Sequence, residues 1–132
     1  MAQTMQFDLV SPERKLASVT ALSVQIPGAE GYMTALPNHA ALVTTLRPGI
    51  LEVATENEVT EYIVTGGFAE ISDDGVTVLA EYALKKADIT KDQLQAFIDE
   101  AKADLERAKG HERDEAERRF ADYHELLLRH GG

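Results

Sequence analysis

From Phe7 to Ala80 the chain alternates apolar and polar positions with a period of two. Phe7 and Leu9 flank Asp8, and Leu22, Val24 and Ile26 flank Ser23 and Gln25. Leu51 with Val53, Tyr62 with Val64, Phe68 with Ile71, and Val76, Val78 and Ala80 extend the series. Each run predicts a strand with one face in a core and the other toward water. Glu56-Asn57-Glu58, Gly66-Gly67 and Asp73-Asp74-Gly75 separate the runs, the last as a tight hairpin in which glycine takes a positive φ. Gly66-Gly67 lacks the pattern of a phosphate-binding loop and reads as a strand junction that another backbone or a partner approaches closely. Pro12, Pro27, Pro37 and Pro48 fall where strands are expected to end, because proline cannot donate to a ladder. Short strands without helical spacing predict an antiparallel sandwich or barrel over residues 1–86.

The period changes at Asp88. Thr90 and Gln93 have the spacing of a capping box, and Ile89 and Leu94 that of a hydrophobic staple, so a helix is expected to start at Thr90. Leu94, Phe97, Ile98, Ala101, Leu105 and Ala108 make its apolar stripe, and Gly110 is expected to stop it. A second stripe runs through Ala116, Phe120, Tyr123 and Leu127, broadened by Leu126 and Leu128. The fold expected is an all-β N-terminal sandwich, 1–86, followed by a C-terminal α-helical hairpin, 87–132. Helices this short are marginal alone, so the stripes must be buried against each other, the sandwich or a partner. Their alanine content makes that hold modest, which predicts a detachable arm.

Charge sharpens the boundary. Residues 1–86 carry 16 charged side chains and the shorter stretch 87–132 carries 20. The formal net charge of -10 argues against nucleic acid as principal ligand, because phosphate recognition rests on a basic surface. There is no cysteine, which removes disulfides, thiolate metal sites and a cysteine nucleophile and permits a reducing compartment. No window approaches the roughly 20 apolar residues of a membrane span. The opening MAQTMQFDLV has no basic n-region, so a soluble chain is expected, held to a membrane only through a partner.

Candidate chemistry is sparse. His39, His111, His124 and His130 contain no pair with zincin spacing. His39, in TALPNHAALVTTLRPG, reads first as a turn or packing residue and second as a base paired with a carboxylate such as Glu30 or Glu70. Ser11 lies in VSPER, which is no nucleophile elbow, and Asp73-Asp74-Gly75 is too short for a calcium loop. Arg113, Arg118 and Arg119 cluster in the second helix, where local ion pairs and a partner contact are equally good readings. No catalytic residue, cofactor or metal ligand is expected.

FDLVSPER (Phe7 to Arg14), PGAEGYMTALPNHAALVTTLRPG (Pro27 to Gly49), VTGGFAEI (Val64 to Ile71) and GVTVLAE (Gly75 to Glu81) resemble, in order and spacing, the motifs of the epsilon subunit of the bacterial F-type ATP synthase, equivalent to the mitochondrial delta subunit. The resemblance spans essentially the whole chain. Its most specific part is a G-x-E-G loop, then L-P-x-H-A, then P-G about ten residues on. It implies a non-catalytic rotor subunit that couples the gamma subunit to the c-ring at the cytoplasmic face of a bacterial inner membrane. The G-x-E-G loop, Ala29, Glu30 and Gly31 with Tyr32 after it, would meet the c-ring; Tyr32 stands where many relatives carry a polar residue. Ser11, Pro37 and His39 would face gamma, leaving His39 without proton chemistry. Arg113, Arg118 and Arg119 resemble in kind the basic residues that let the arm reach the alpha and beta subunits and restrain ATP hydrolysis. The I/L-D-x-x-R-A motif that binds ATP in some relatives is not matched, since this chain has Ile89-Thr90-Lys91-Asp92-Gln93-Leu94 there; DLERA, Asp104 to Ala108, comes late in the helix. Strong ATP binding is therefore not expected. The rival readings are an unrelated sandwich adaptor and, in another class, a small His39-dependent enzyme.

Overall fold

The structure is a computed structural model that describes residues 3–129. His130 and the closing Gly131-Gly132 lie outside the described residues. The chain divides into two compact units, Met1–Ala87 and Asp88–Gly132.

In the first unit ten strands follow one another: β1 Met5–Val10, β2 Lys15–Ala21, β3 Ser23–Gly28, β4 Gly31–Ala35, β5 Leu42–Thr45, β6 Gly49–Ala54, β7 Val59–Val64, β8 Gly67–Ile71, β9 Gly75–Ala80 and β10 Ala83–Lys85. They form two five-stranded sheets, β2-β1-β9-β8-β5 and β10-β7-β6-β3-β4, here called sheets A and B. Phe7, Leu9, Val76 and Val78 from sheet A and Val24, Ile26, Leu51 and Val53 from sheet B fill the core between them. This is the sandwich that the alternation predicts. One pairing departs from the antiparallel expectation: β1 lies parallel to β9, Phe7 opposite Val76 and Leu9 opposite Val78.

Three local expectations need correction. Phe68 and Ile71 are three apart and cannot share one face of a strand; the inward pair on β8 is Ala69 and Ile71, and Phe68 is 55% exposed. Pro27 does not end its strand, because β3 continues to Gly28 and Pro27 keeps Tyr32 as its register partner. Gly75 has no positive φ; its turn is closed by reciprocal bonds between Ser72 and Gly75. Glycine is needed there because an added Cβ would lie 2.0 Å from the Gln6 carbonyl oxygen. Gly67 does follow the expectation of close approach, with a φ of 122° and an added Cβ 2.0 Å from the Leu79 carbonyl oxygen.

The second unit holds α1, Lys91–Arg107, and α2, His111–Arg129. The Thr90 hydroxyl accepts from the Gln93 amide at 3.1 Å and the Gln93 side chain accepts from the Thr90 amide at 2.8 Å, completing the capping box. Phe97 and Tyr123 stack across the hairpin with centroids 5.6 Å apart. Leu94, Ile98 and Ala101 on α1 and Tyr123 and Leu126 on α2 are buried, whereas Leu128 is 78% exposed and does not broaden the stripe. Gly110 does not stop α1. That helix ends at Ala108, whose extended φ and ψ break the spiral, and Gly110, at φ 61°, stands immediately before α2. No helix among the described residues is long and apolar enough to cross a membrane.

Candidate functional site

The side chains that could do chemistry are dispersed. His39 sits in the turn between β4 and β5, its Nδ1 2.8 Å from the Ala40 carbonyl oxygen, so that nitrogen carries the proton and donates to a neighbour in the chain. Neither Glu30 nor Glu70 pairs with it among the described residues. The same residues contain no group of three or more His, Cys, Asp or Glu able to hold a metal ion. Burial pushes the Tyr62 phenol up, with the Glu58 carboxylate adding to the shift, so its proton is held more firmly through neutral pH.

What the sandwich unit offers instead is surface. On the outer face of sheet A, register aligns Thr45 with Phe68, Phe68 with Leu79 and Leu79 with Val10. Phe68 is 55% and Leu79 52% exposed, and Val43, diagonal to Phe68 on edge strand β5, is 65% exposed. Neighbouring large apolar side chains on an exposed sheet face form the kind of patch that marks a protein contact. The sequence pattern flagged Phe68 for the core; its separation of three residues from Ile71, which puts the two on opposite faces of a strand, was the available signal.

The turn of Ala29 and Glu30 between β3 and β4 projects at one end of this unit. Ala29 donates to the Thr44 hydroxyl at 3.2 Å, and Gly28 bridges Leu46, which places the turn beside the Thr45–Phe68 end of sheet A. Ser11 begins the β1–β2 turn at that same end, closed by reciprocal backbone bonds with Arg14. Pro37 and His39 lie at the other end, where Asn38, at a φ of 67°, donates its side-chain amide to Gln3 at 3.0 Å. The residues expected to face gamma are thus separated by the length of β1, on the order of 20 Å. Tyr32 is 45% exposed but anchored, because its hydroxyl accepts from the Ile50 amide at 2.9 Å.

The three arginines differ. Arg113 donates from Nη1 to the Leu105 carbonyl at 3.1 Å and pairs with Glu117 at 3.4 Å. It therefore serves one of the four carbonyls that the end of α1 leaves without a helical partner, and sets positive charge against the negative end of the helix dipole. Arg119 lines an open hollow of about 310 Å³ between the helices, together with Asp104, Arg107, Glu112 and Glu115. Asp104 and Arg107 pair with each other, so the DLERA segment meets its own charges internally. Arg118 is exposed and makes no ion pair among the described residues. Arg113→Ala is expected to loosen the hairpin by about 1 kcal/mol. Amide exchange in the last turn of α1 and the first of α2 should accelerate accordingly, with Arg113→Lys intermediate.

Residues 4–86 match the family described as "ATP synthase, Delta/Epsilon chain, beta-sandwich domain". The ATP synthase epsilon chain of Ruegeria sp. (strain TM1040) is 60% identical over 102 residues, covering 77% of this chain and 74% of the relative. That of Rhodobacter capsulatus is 50% identical over 126 residues, covering 96% of each. Among solved structures, a chain of the Euglena gracilis mitochondrial ATP synthase, OSCP/F1/c-ring, superposes with a TM-score of 0.75 at 26% identity, covering 96% of this chain and 81% of that one. A chain of the Tetrahymena thermophila mitochondrial ATP synthase central stalk and c-ring shares the fold with a TM-score of 0.71 at 16% identity, covering 96% of each. The family match covers residues 4–86, well over half of the chain, and relatives 50–60% identical span three quarters of it or more, so the chain belongs to the epsilon-chain family of F-type ATP synthase subunits.

Proposed function

We propose that this chain, a non-catalytic central-stalk subunit of a proton-translocating F-type ATP synthase, joins gamma to the c-ring through its sandwich. The observation that carries the reading is the apolar row Phe68, Leu79 and Val10 with Val43 beside it, on the outer face of sheet A. A partner touching both Ser11 and His39 must lie along that face for the length of β1, as an elongated stalk subunit would. The turn of Ala29, Glu30, Gly31 and Tyr32 projects at one end and is the surface assigned to the c-ring. Two sheets, each held by hydrogen-bonded ladders and packed on each other through an apolar core, suit a part that transmits torque without deforming.

On this reading the chain works at the cytoplasmic face of a bacterial inner membrane, held there by protein contacts. Arg118 and Arg119 are the residues assigned to the alpha and beta subunits, whereas Arg113 is engaged within the hairpin. No role in ATP binding is assigned to the hairpin.

Single cysteines test the assignment in the assembled complex. Ser11→Cys and Val43→Cys are expected to cross-link to gamma, and Glu30→Cys to a c subunit; the absence of all three products overturns the reading. In the same complex, removing residues 88–132 should leave proton pumping coupled, with hydrolysis unchanged or raised. Loss of coupling would transfer the joint from the sandwich to the helices.

A further inference from the structure

We infer that the Tyr32 hydroxyl is a tether that fastens the projecting 28–31 turn to the interior of sheet B, and that it replaces a ladder bond which Pro27 leaves unmade. The inference rests on the proposed c-ring assignment for its functional meaning, but not for its geometry. Strands β3 and β6 pair through Ser23–Ala54, Val24–Val53 and Gln25–Glu52 and no further. Continued at the same register, the ladder would set Pro27 opposite Ile50. Proline has no amide hydrogen to give, and its carbonyl oxygen is already taken by the Arg47 amide at 2.9 Å. The partly buried Ile50 amide finds its acceptor in the Tyr32 hydroxyl at 2.9 Å.

Tyr32 belongs to β4, the edge strand, and its register partner on β3 is Pro27. Its side chain therefore spans from β4, past β3, to the backbone of β6. Gly49 makes room for it: a Cβ there would lie 2.6 Å from Pro27 Cβ and 2.7 Å from the Tyr32 oxygen. Pro27, Tyr32, Gly49 and Ile50 act as one device. Without it, the turn would be held at this point by the β3–β4 hairpin, the Ala29–Thr44 bond and the Gly28–Leu46 bridge. With it, a sideways load on the turn passes into β6. Tyr32 is a positioning residue whose working atom is its hydroxyl.

Tyr32→Phe removes that atom and keeps the ring. In the full chain, amide exchange followed by NMR should show the Ile50 amide exchanging about ten-fold faster or more, as a partly buried donor deprived of its acceptor does. The amides of Val24 and Val53, on the intact part of the ladder, should be unchanged. Unaltered Ile50 protection overturns the inference while leaving the subunit's place in the complex untouched. In the assembled synthase, Tyr32→Phe should lower the protons pumped per ATP hydrolysed without changing the amount of subunit retained. A pumping ratio equal to the parent's, with Ile50 exchange accelerated, would overturn the load-bearing role. Glu30→Cys cross-linking in the parent complex reports separately on the c-ring assignment.

Discussion

Replacing Phe68 and Leu79 together by glutamate is expected to weaken association with the gamma subunit about a hundred-fold or more, while leaving the sandwich folded. Truncating a residue at the centre of an interface costs roughly 2 kcal/mol or more. Two new carboxylates on an apolar contact add the penalty of desolvating charge without a partner. About 3 kcal/mol corresponds to the hundred-fold loss. The free chain should tolerate the change, because both side chains are about half exposed and point away from the core, where substitutions typically alter stability by about 0.5 kcal/mol or less. Titration calorimetry with gamma and a thermal melt of the variant separate the two effects. Binding that survives undiminished would move the gamma contact off the outer face of sheet A; a variant that melts early would mean that Phe68 supports the fold.

The same residue shows where sequence reading reached and where it stopped. The six strands visible as alternation are β1, β3, β6, β7, β8 and β9, and these are the six interior strands of the two sheets. The four that gave no pattern, β2, β4, β5 and β10, are the four edges. An interior strand has neighbours on both sides, and its inward face is fully screened by the opposite sheet, so selection for apolar residues there is strict. An edge strand is covered on one side only, and its inward positions tolerate exposure: Leu42 on β5 pairs with buried Ile71 yet is itself 41% exposed. Period two is a record of burial, and it fades where burial does.

Helix boundaries divide in the same way. The start of α1 was legible because a capping box is a pair of side-chain bonds encoded by residue type at fixed spacing. Its end was not, because Ala108 takes an extended conformation that no residue preference marks, two residues before the glycine that drew attention. The candidate site was legible as motifs and not as geometry. Alternation cannot tell which end of a sandwich a turn occupies, so the separation of Ser11 from His39 follows only from register. The role of Tyr32 is further still from the pattern, since it depends on the Pro27 carbonyl on the neighbouring strand being taken by the Arg47 amide, which leaves the Ile50 amide to a side chain reaching over from β4.

Alanine at Gly67 or Gly75 is expected to be the most damaging single change in the sandwich, at roughly 3 kcal/mol or more for each. The two fail for different reasons. At Gly75 φ is not positive, but β9 opens directly against β1: Gln6 is its register partner, the Gln6 amide donates to Asp74 at 3.2 Å, and an added Cβ would stand 2.0 Å from the Gln6 oxygen. The obstacle is backbone, so no rotamer change relieves it. The strands must part where β1 joins β9, at the centre of sheet A, and Phe7 and Leu9 lose their seat opposite Val76 and Val78. At Gly67 the same 2.0 Å collision, with the Leu79 oxygen, is joined by a φ of 122° that L side chains rarely adopt. Gly31 separates these terms, since it has a φ of 125° and nothing within 4 Å of an added Cβ. Urea unfolding of the three alanine variants should rank Gly67 as costliest and Gly31 as mildest, with Gly31 near the 1–3 kcal/mol typical of backbone strain alone (an order-of-magnitude figure). A loss at Gly67 no greater than that at Gly31 would mean that strain, not the approach of Leu79, reserves Gly67 for glycine; a stable Gly75→Ala chain would mean that β1 can leave β9 without cost to the sandwich.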